Sequence, residues 1–314
     1  MRAPDPSSVR IDGPWTHRDV SANGIRLHIA EAGSGPMVLL LHGFAGFWWV
    51  WRHQLLTLAE AGYRAVAVDL RGYGDSDKPP RGYDAWTLSG DVAGLVRALG
   101  EPRAHLVGHA WGGLLAWTAA TLHPRMVGSV SVLAGAHPLA LRAAIPRTAL
   151  RRRPANQTRA LGQLFRAQLP LLPERGLVRA EAEAVERWLR EFSHPRWSAT
   201  AEFADTARRL RAAMLVPHVA HSALEYYRWA FRAQFRGEGR RFAEAVDARV
   251  RVPVLQLHGE DDACVLPATA RASAPWLGPR SRFERLPEVG HFPQLEAARQ
   301  TGDLLTDFLA GLPD

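Results

Sequence analysis

A chain of 314 residues, 47% hydrophobic and 22% charged, fits one principal globular domain with a large core and a sizeable insertion. The +8 net charge is almost all arginine spread along the chain, with Lys78 the only lysine and "RTALRRRP" (147–154) the one dense run; no binding motif or aromatic stacking pattern accompanies it, so no nucleic-acid partner is expected. Cys264 is the sole cysteine, which excludes an intrachain disulfide, and neither a signal-peptide core nor the roughly 18 apolar residues of a membrane span occurs, so the expectation is a cytoplasmic protein with no membrane contact.

The first elements are "WTHRDVSA" and "IRLHIAEAG", whose alternating apolar and polar residues predict an antiparallel hairpin at a sheet edge. "PMVLLLHG" is a continuous apolar run, as a strand buried on both faces requires. Helix and strand signals then alternate. "WRHQLLTLAEAG" reads as a helix closed by Gly62, "YRAVAVDL" as a strand, and "TLSGDVAGLVRALG" as a helix opened by Thr87 or Ser89 and closed by Gly100. "RAHLVGH" and "MVGSVSVLAG" read as strands on either side of the helix "GGLLAWTAATLHP". Such alternation predicts an α/β class with a mostly parallel central sheet and helices on both faces.

From about residue 138 to 248 no strand signal appears, only alanine- and arginine-rich helical segments interrupted by Pro154, Pro170, Pro173, Pro195 and Pro217. Strand logic resumes at "VPVLQLHGEDD", followed by a helix, "SRFERLPEVGH" and the helical "PQLEAARQTGDLLTDFLAG". The expected organisation is a discontinuous core (1–137 and 249–314) with an inserted helical cap (138–248).

The chemistry-bearing motif is Gly108-His109-Ala110-Trp111-Gly112, placed after a buried strand and opening a helix. That is the context of a nucleophile elbow, a strained strand-turn-helix corner whose central side chain stands above the sheet. Here the central residue is Ala110, and a methyl group cannot attack. Two further elements sit where the elbow predicts them: Asp262 three residues after Gly259, with Asp261 as competitor, and His291 just after the next strand. The order of nucleophile position, acid and histidine is that of the α/β-hydrolases, in which the carboxylate orients the imidazole as a base. In "HGFAGFWWVW" the turn after the third strand offers the Phe44 N–H as one oxyanion donor, with the Trp111 N–H as the other.

Together "HGFAGFWWVWRHQL", "DLRGYGDSDKPP", "GHAWGG", "HGEDD" and "GHFPQLE" resemble the epoxide hydrolase branch of the α/β-hydrolase superfamily over most of the core. The resemblance implies an aspartate at the Ala110 position that opens an epoxide to a covalent ester. It further implies that Asp262 and His291 activate the water that hydrolyses the ester, and that cap tyrosines hydrogen-bond the ring oxygen. "ALEYYRW" matches the branch's Tyr-Arg site and makes Tyr227 the acid, with Tyr226 its neighbour. The branch's first cap tyrosine has no counterpart, Phe165 and Arg166 lying near its place, and Ala45 stands where the branch often has proline.

The chain is accordingly read as an epoxide hydrolase-like enzyme of a small to medium apolar or aromatic substrate, with Ala110 in place of the expected aspartate and activity impaired for that reason. Two alternatives stand beside it: His291–Asp262 base chemistry without a nucleophile, as in a cyclase, lyase or isomerase, or a non-catalytic ligand-binding homologue. Trp48, Trp49 and Tyr226 are expected to line the pocket. Its partner is a small-molecule substrate, with no cofactor or metal called for.

Overall fold

The structure, a computed structural model, describes residues 4–150, 156–278 and 280–312. Pro154 and most of the arginines in the basic run lie outside them. Eight strands form one sheet: β1 (Thr16–Ala22), β2 (Ile25–Ala32), β3 (Met37–Leu41), β4 (Arg64–Val68), β5 (Ala104–His109), β6 (Val127–Leu133), β7 (Val254–Gly259) and β8 (Ser281–Leu286). Their order in space is β1-β2-β4-β3-β5-β6-β7-β8. β2 pairs antiparallel with β1 and β4, and every other pairing is parallel. The edge hairpin turns through Asn23 and Gly24, both at positive φ (47° and 78°), the two-residue turn that matches strand twist.

The apolar run Met37–Leu41 forms β3, all five residues buried. A central parallel strand covered on both faces has no side left for polar residues. The covering helices include α1 (Arg52–Glu60), α2 (Ala85–Ala98) and α3 (Trp111–Leu122). The start of α2 corrects the expected cap: Asp84 is the N-cap, its carboxylate accepting the Thr87 N–H at 2.9 Å, so Thr87 and Ser89 lie inside the helix. Asp84 also accepts the Thr87 hydroxyl, at 2.8 Å, which takes that side chain away from capping.

Between β6 and β7 the described residues hold helices and no strand: α4 (Pro138–Thr148), α5 (Gln157–Ala160), α6 (Gly162–Arg166), α7 (Leu172–Phe192), α8 (Pro195–Ser198), α9 (Ala201–Met214), α10 (Val219–Arg232) and α11 (Gly237–Val246). After β7 come α12 (Pro267–Arg271), then, past β8, α13 (Pro293–Glu296) and α14 (Ala298–Ala310). The predicted last helix is thus two, broken at Ala297, where φ is −131° and ψ 51°.

Topology fixes where a site can be. β3 lies between β4 and β5, so the chain leaves it toward one edge and returns on its other side. At such a reversal the loops leaving the two strands part and open a crevice at their carboxyl ends. The loops here are the Phe44 turn after β3 and the Ala110 corner after β5.

Candidate active site

The corner at Ala110 has φ 48° and ψ −105°, a backbone that L-residues avoid. It is held because β5 and α3 must approach one another and β3 very closely. A Cβ on Gly108 would overlap the Gly112 carbonyl, and one on Gly112 would overlap the Leu41 carbonyl of β3. The strain is fixed by hydrogen bonds on both sides: the Ala110 N–H donates to the Leu133 carbonyl at 3.0 Å, and the Ala110 carbonyl accepts from the Leu114 N–H at 3.0 Å. The methyl of Ala110 faces a cavity of about 510 Å³ between the sheet and the helices that follow β6.

The turn after β3 packs against this corner, for a Cβ on Gly43 would come within 3.2 Å of the Ala110 methyl. His42 shapes the turn from inside the core: its Nδ1–H donates to the Gly43 carbonyl at 2.8 Å and its Nε2 accepts the Leu70 N–H at 3.1 Å. Burial lowers its affinity for a second proton and keeps this neutral tautomer. Ala45 takes a positive φ of 56°, which proline cannot adopt. Phe44 and Trp111 both line the cavity beside Ala110. Among the described residues neither backbone N–H has a protein acceptor.

Across the cavity stands His291, 1% exposed, its Nδ1–H donating to Asp262 Oδ2 at 2.9 Å. The other oxygen of Asp262 accepts the backbone N–H groups of Cys264 (2.8 Å) and Val265 (2.9 Å). Burial opposes ionisation of Asp262, but the His291 charge and the hydrogen bonds from His258 and His291 prevail and hold the carboxyl well below its usual range. Burial likewise opposes the imidazolium of His291, and Asp262 together with Cys264 raises it well above the ordinary histidine value. Asp261, the competing acid, is exposed, with only a 3.9 Å approach to His194. Of the two competing acids, Asp262 is the one in contact with His291.

The loop carrying His291 is clamped from three directions. Glu296 accepts the N–H groups of Gly290 and Phe292, each at 2.9 Å, and that of His194 at 2.7 Å. The His291 N–H donates to the Phe192 carbonyl at 2.8 Å, docking the end of α7. From below, the His109 Nε2–H donates to the His291 carbonyl at 2.8 Å, with burial pushing the His109 imidazolium down to about 3 so that it stays neutral.

α10 supplies Tyr227 to the cavity wall, its ring edge-on to Phe44 and Trp111 at 5.2 Å each. Burial above all raises its hydroxyl far beyond the usual phenol range, so it is a neutral donor. Tyr226 corrects the expected pocket: its hydroxyl donates to the Arg71 carbonyl at 2.8 Å, and its ring packs among Tyr73, Tyr83 and Trp111 outside the cavity lining. Successive residues of a helix point about 100° apart, which carries Tyr226 to the Arg71 carbonyl while Tyr227 faces the cavity.

Trp48 and Trp49 are also corrected, since neither lines the cavity. Trp48 is fully buried, donates its indole N–H to the Val9 carbonyl at 2.8 Å and packs on Trp15 and His17 of the N-terminal segment. Trp49 packs on Trp15 and takes the Arg52 and Arg209 guanidinium groups over its ring. The tryptophans that line the cavity are Trp111, Trp229 of α10 and Trp188 of α7, the last edge-on to Phe44 at 5.3 Å. Its signal was the apolar spacing Val185, Trp188, Leu189, Phe192 on one helical face. Phe165, near the missing tyrosine, lines the cavity with no hydroxyl to offer, leaving Tyr227 as the one tyrosine among the described lining residues. Sequence reasoning also passed over Cys264, two residues after Asp262, which lines the cavity.

Two carboxylates that could have replaced the missing nucleophile are committed elsewhere. Asp69 accepts His28 Nδ1–H at 2.7 Å and the Trp48 and Asp75 N–H groups, while Asp91 pairs with Arg71 at 2.6 Å.

Residues 36–298 match the family described as alpha/beta hydrolase fold. Among curated proteins, epoxide hydrolase 3 of Xenopus tropicalis is 33% identical over 91% of this chain and 75% of its own. Epoxide hydrolase 3 of Siraitia grosvenorii is 51% identical over 34% of this chain, and the match spans about a third (35%) of that relative's length. Of solved structures, an epoxide hydrolase of Vigna radiata superimposes with a TM-score of 0.75 at 28% identity, covering 95% of this chain and 98% of the other. With its switch-point corner, buried acid–histidine pair and matched length, the chain belongs to the alpha/beta hydrolase fold family, among its epoxide hydrolase-like proteins.

Proposed function

We propose that this site is built to open small to medium apolar epoxides through an aspartate at position 110, and that the chain bearing Ala110 is impaired in that first step. The observation that carries the reading is the convergence of the Ala110 corner, the His291–Asp262 pair and Tyr227 on one largely apolar cavity. In the Ala110→Asp form, a carboxylate oxygen attacks a ring carbon, the carbon–oxygen bond breaks, and the alkoxide takes a hydrogen bond and then a proton from Tyr227. His291 next takes a proton from water, and the hydroxide attacks the ester carbonyl. The Phe44 and Trp111 N–H groups receive the oxyanion; on collapse the leaving diol oxygen takes the proton from His291, and the carboxyl proton returns to Tyr227.

With a methyl at 110 no ester forms, and removing such a nucleophile lowers kcat on the order of a million-fold. The test is Ala110→Asp assayed for diol formation in oxygen-labelled water. In a single turnover the label enters the carboxylate and not the diol. Label in the first-turnover diol, or no turnover across a broad epoxide panel while Ala110→Ser hydrolyses esters, would overturn the reading.

The intact 2.9 Å His291–Asp262 contact also favours a second reading, base chemistry by the chain as it stands. It predicts a cyclase, lyase or isomerase activity lost in His291→Ala.

A further inference from the structure

The cavity opens through an apolar rim that nothing among the described residues covers. Phe165 of α6 and Phe231 of α10 lie 5.7 Å apart between ring centres, and Phe231 and Phe235 5.3 Å. All three line the cavity, yet Phe165 is 41% and Phe235 77% exposed. The apolar surface continues along the chain into Leu169, Leu171 and Leu172, each more than half exposed. That segment is pinned beside α10: Arg228 donates to the Ala167 and Leu169 carbonyls at 2.9 and 3.2 Å, and Gln168 to the Tyr227 carbonyl at 3.3 Å. Single exposed apolar side chains need no explanation, but a contiguous group at a cavity mouth marks a contact surface.

The charge around the rim selects the partner. Arg142 lines the cavity itself, Arg166 follows Phe165, and Arg232 and Arg236 follow Phe231 and Phe235. All four are exposed, and none has a carboxylate partner among the described residues. The acidic groups nearby are committed elsewhere: Glu174 and Glu225 pair with Arg228 at 2.7 and 2.9 Å, and Glu238 accepts the Trp229 indole N–H at 2.7 Å. A second copy of the chain is a poor occupant, since a two-fold contact would set one arginine rim against the other. An apolar centre ringed by unpaired cations is matched by an anionic bilayer, with phosphates on the arginines and acyl chains on the phenylalanines. The expectation of no membrane contact rests on the missing spanning run, and a surface contact requires none.

We propose that this rim docks on an anionic lipid bilayer and lets apolar substrates pass from the acyl layer into the cavity without crossing water. Phe165, Phe235 and the three leucines enter the boundary between headgroups and acyl chains, while Arg142, Arg166, Arg232 and Arg236 rest on lipid phosphates. Docking rests on the proposed function only in taking the ligand to be apolar. It is measured without turnover, so it stands or fails apart from epoxide opening.

The test is flotation of the unaltered chain with vesicles of phosphatidylcholine alone and of phosphatidylcholine with roughly a third phosphatidylglycerol. Binding to the anionic vesicles should be at least about tenfold tighter than to the neutral ones and should fall in about 1 M salt. Because the chain carries a net charge of +8, the rim must be separated from charge alone. Arg166→Gln with Arg232→Gln and Arg236→Gln should weaken binding at least about tenfold. Arg97→Gln with Arg103→Gln and Arg125→Gln removes the same charge at the amino ends of the strands, away from the cavity, and should cost at most about twofold. Phe235→Ser with Leu171→Ser, at two exposed positions, should weaken binding at least about tenfold at unchanged Tm. No flotation with anionic vesicles, equal losses from the two arginine sets, or no loss from the two serines overturns the proposal. A dimer in light scattering that the serines dissolve, with no vesicle binding, overturns it in favour of self-association.

Discussion

His258 Nε2 lies 3.2 Å from Asp262 Oδ2, the same oxygen that receives the His291 Nδ1–H. The Val265 carbonyl, which can only accept, sits 2.7 Å from the same nitrogen, so Nε2 carries the hydrogen and shares it between the two oxygens. A second imidazole therefore steadies the acid from beneath. His258→Phe keeps a flat ring but leaves the Val265 carbonyl without this donor and removes one of the two donors on Asp262 Oδ2. Thermal or urea unfolding should show a loss of about 1–3 kcal/mol, with His258→Gln recovering part of it. An unchanged midpoint in His258→Phe would mean that His258 merely fills space.

The raised proton affinity of His291 has a pH consequence that can be signed. A base must be neutral, so in the Ala110→Asp protein hydrolysis of the ester should rise with pH and level off only above the ordinary histidine range. In Asp262→Asn the carboxylate charge that lifts His291 is gone and burial weighs more, so its titration, followed by imidazole NMR, moves to lower pH. Turnover falls on the order of 10⁴-fold with the tautomer no longer enforced. A His291 titration that stays put in Asp262→Asn would count against their coupling.

Tyr226 and Tyr227, adjacent in sequence, should fail in different ways. In the Ala110→Asp background, Tyr227→Phe removes the donor facing the ring oxygen and should slow single-turnover ester formation on the order of a hundredfold, with little change in Tm. Tyr226→Phe strands the Arg71 carbonyl and should lower stability by about 1–3 kcal/mol while leaving ester formation nearly intact. The reverse pattern would reassign the two side chains.

The contrast between those tyrosines shows which information a sequence carries. Strands such as Met37–Leu41 were legible because burial on both faces leaves a continuous apolar run, and the elbow because close backbone approach admits only glycine at 108 and 112. Asp262 and His291 follow from spacing after those strands, which the parallel sheet converts directly into position. The direction of a side chain on a short turn is different. Trp48 and Trp49 belong to a single 3₁₀ turn, and what turns them from the cavity is the N-terminal segment with Val9, Trp15 and His17, a contact formed far along the chain. Trp188 reaches the cavity only because the end of α7 docks on the His291 loop. Cys264 carries no motif at all, and only the fold brings it to the cavity wall.

The Ala110 corner sets stability against chemistry. At φ 48° and ψ −105° an alanine holds a conformation that glycine enters freely, so Ala110→Gly should stabilise the chain by about 1 kcal/mol, the relief exceeding the extra disorder glycine gives the unfolded state. Ala110→Asp should move the other way, since it keeps the strain and adds a carboxylate to an apolar cavity, offset in part by the neighbouring imidazolium. Urea midpoints in the order glycine, alanine, aspartate would show that the position is tuned for a reacting side chain and not for folding. An aspartate form as stable as the glycine form would remove that argument, because the corner would then impose no penalty for the nucleophile to carry.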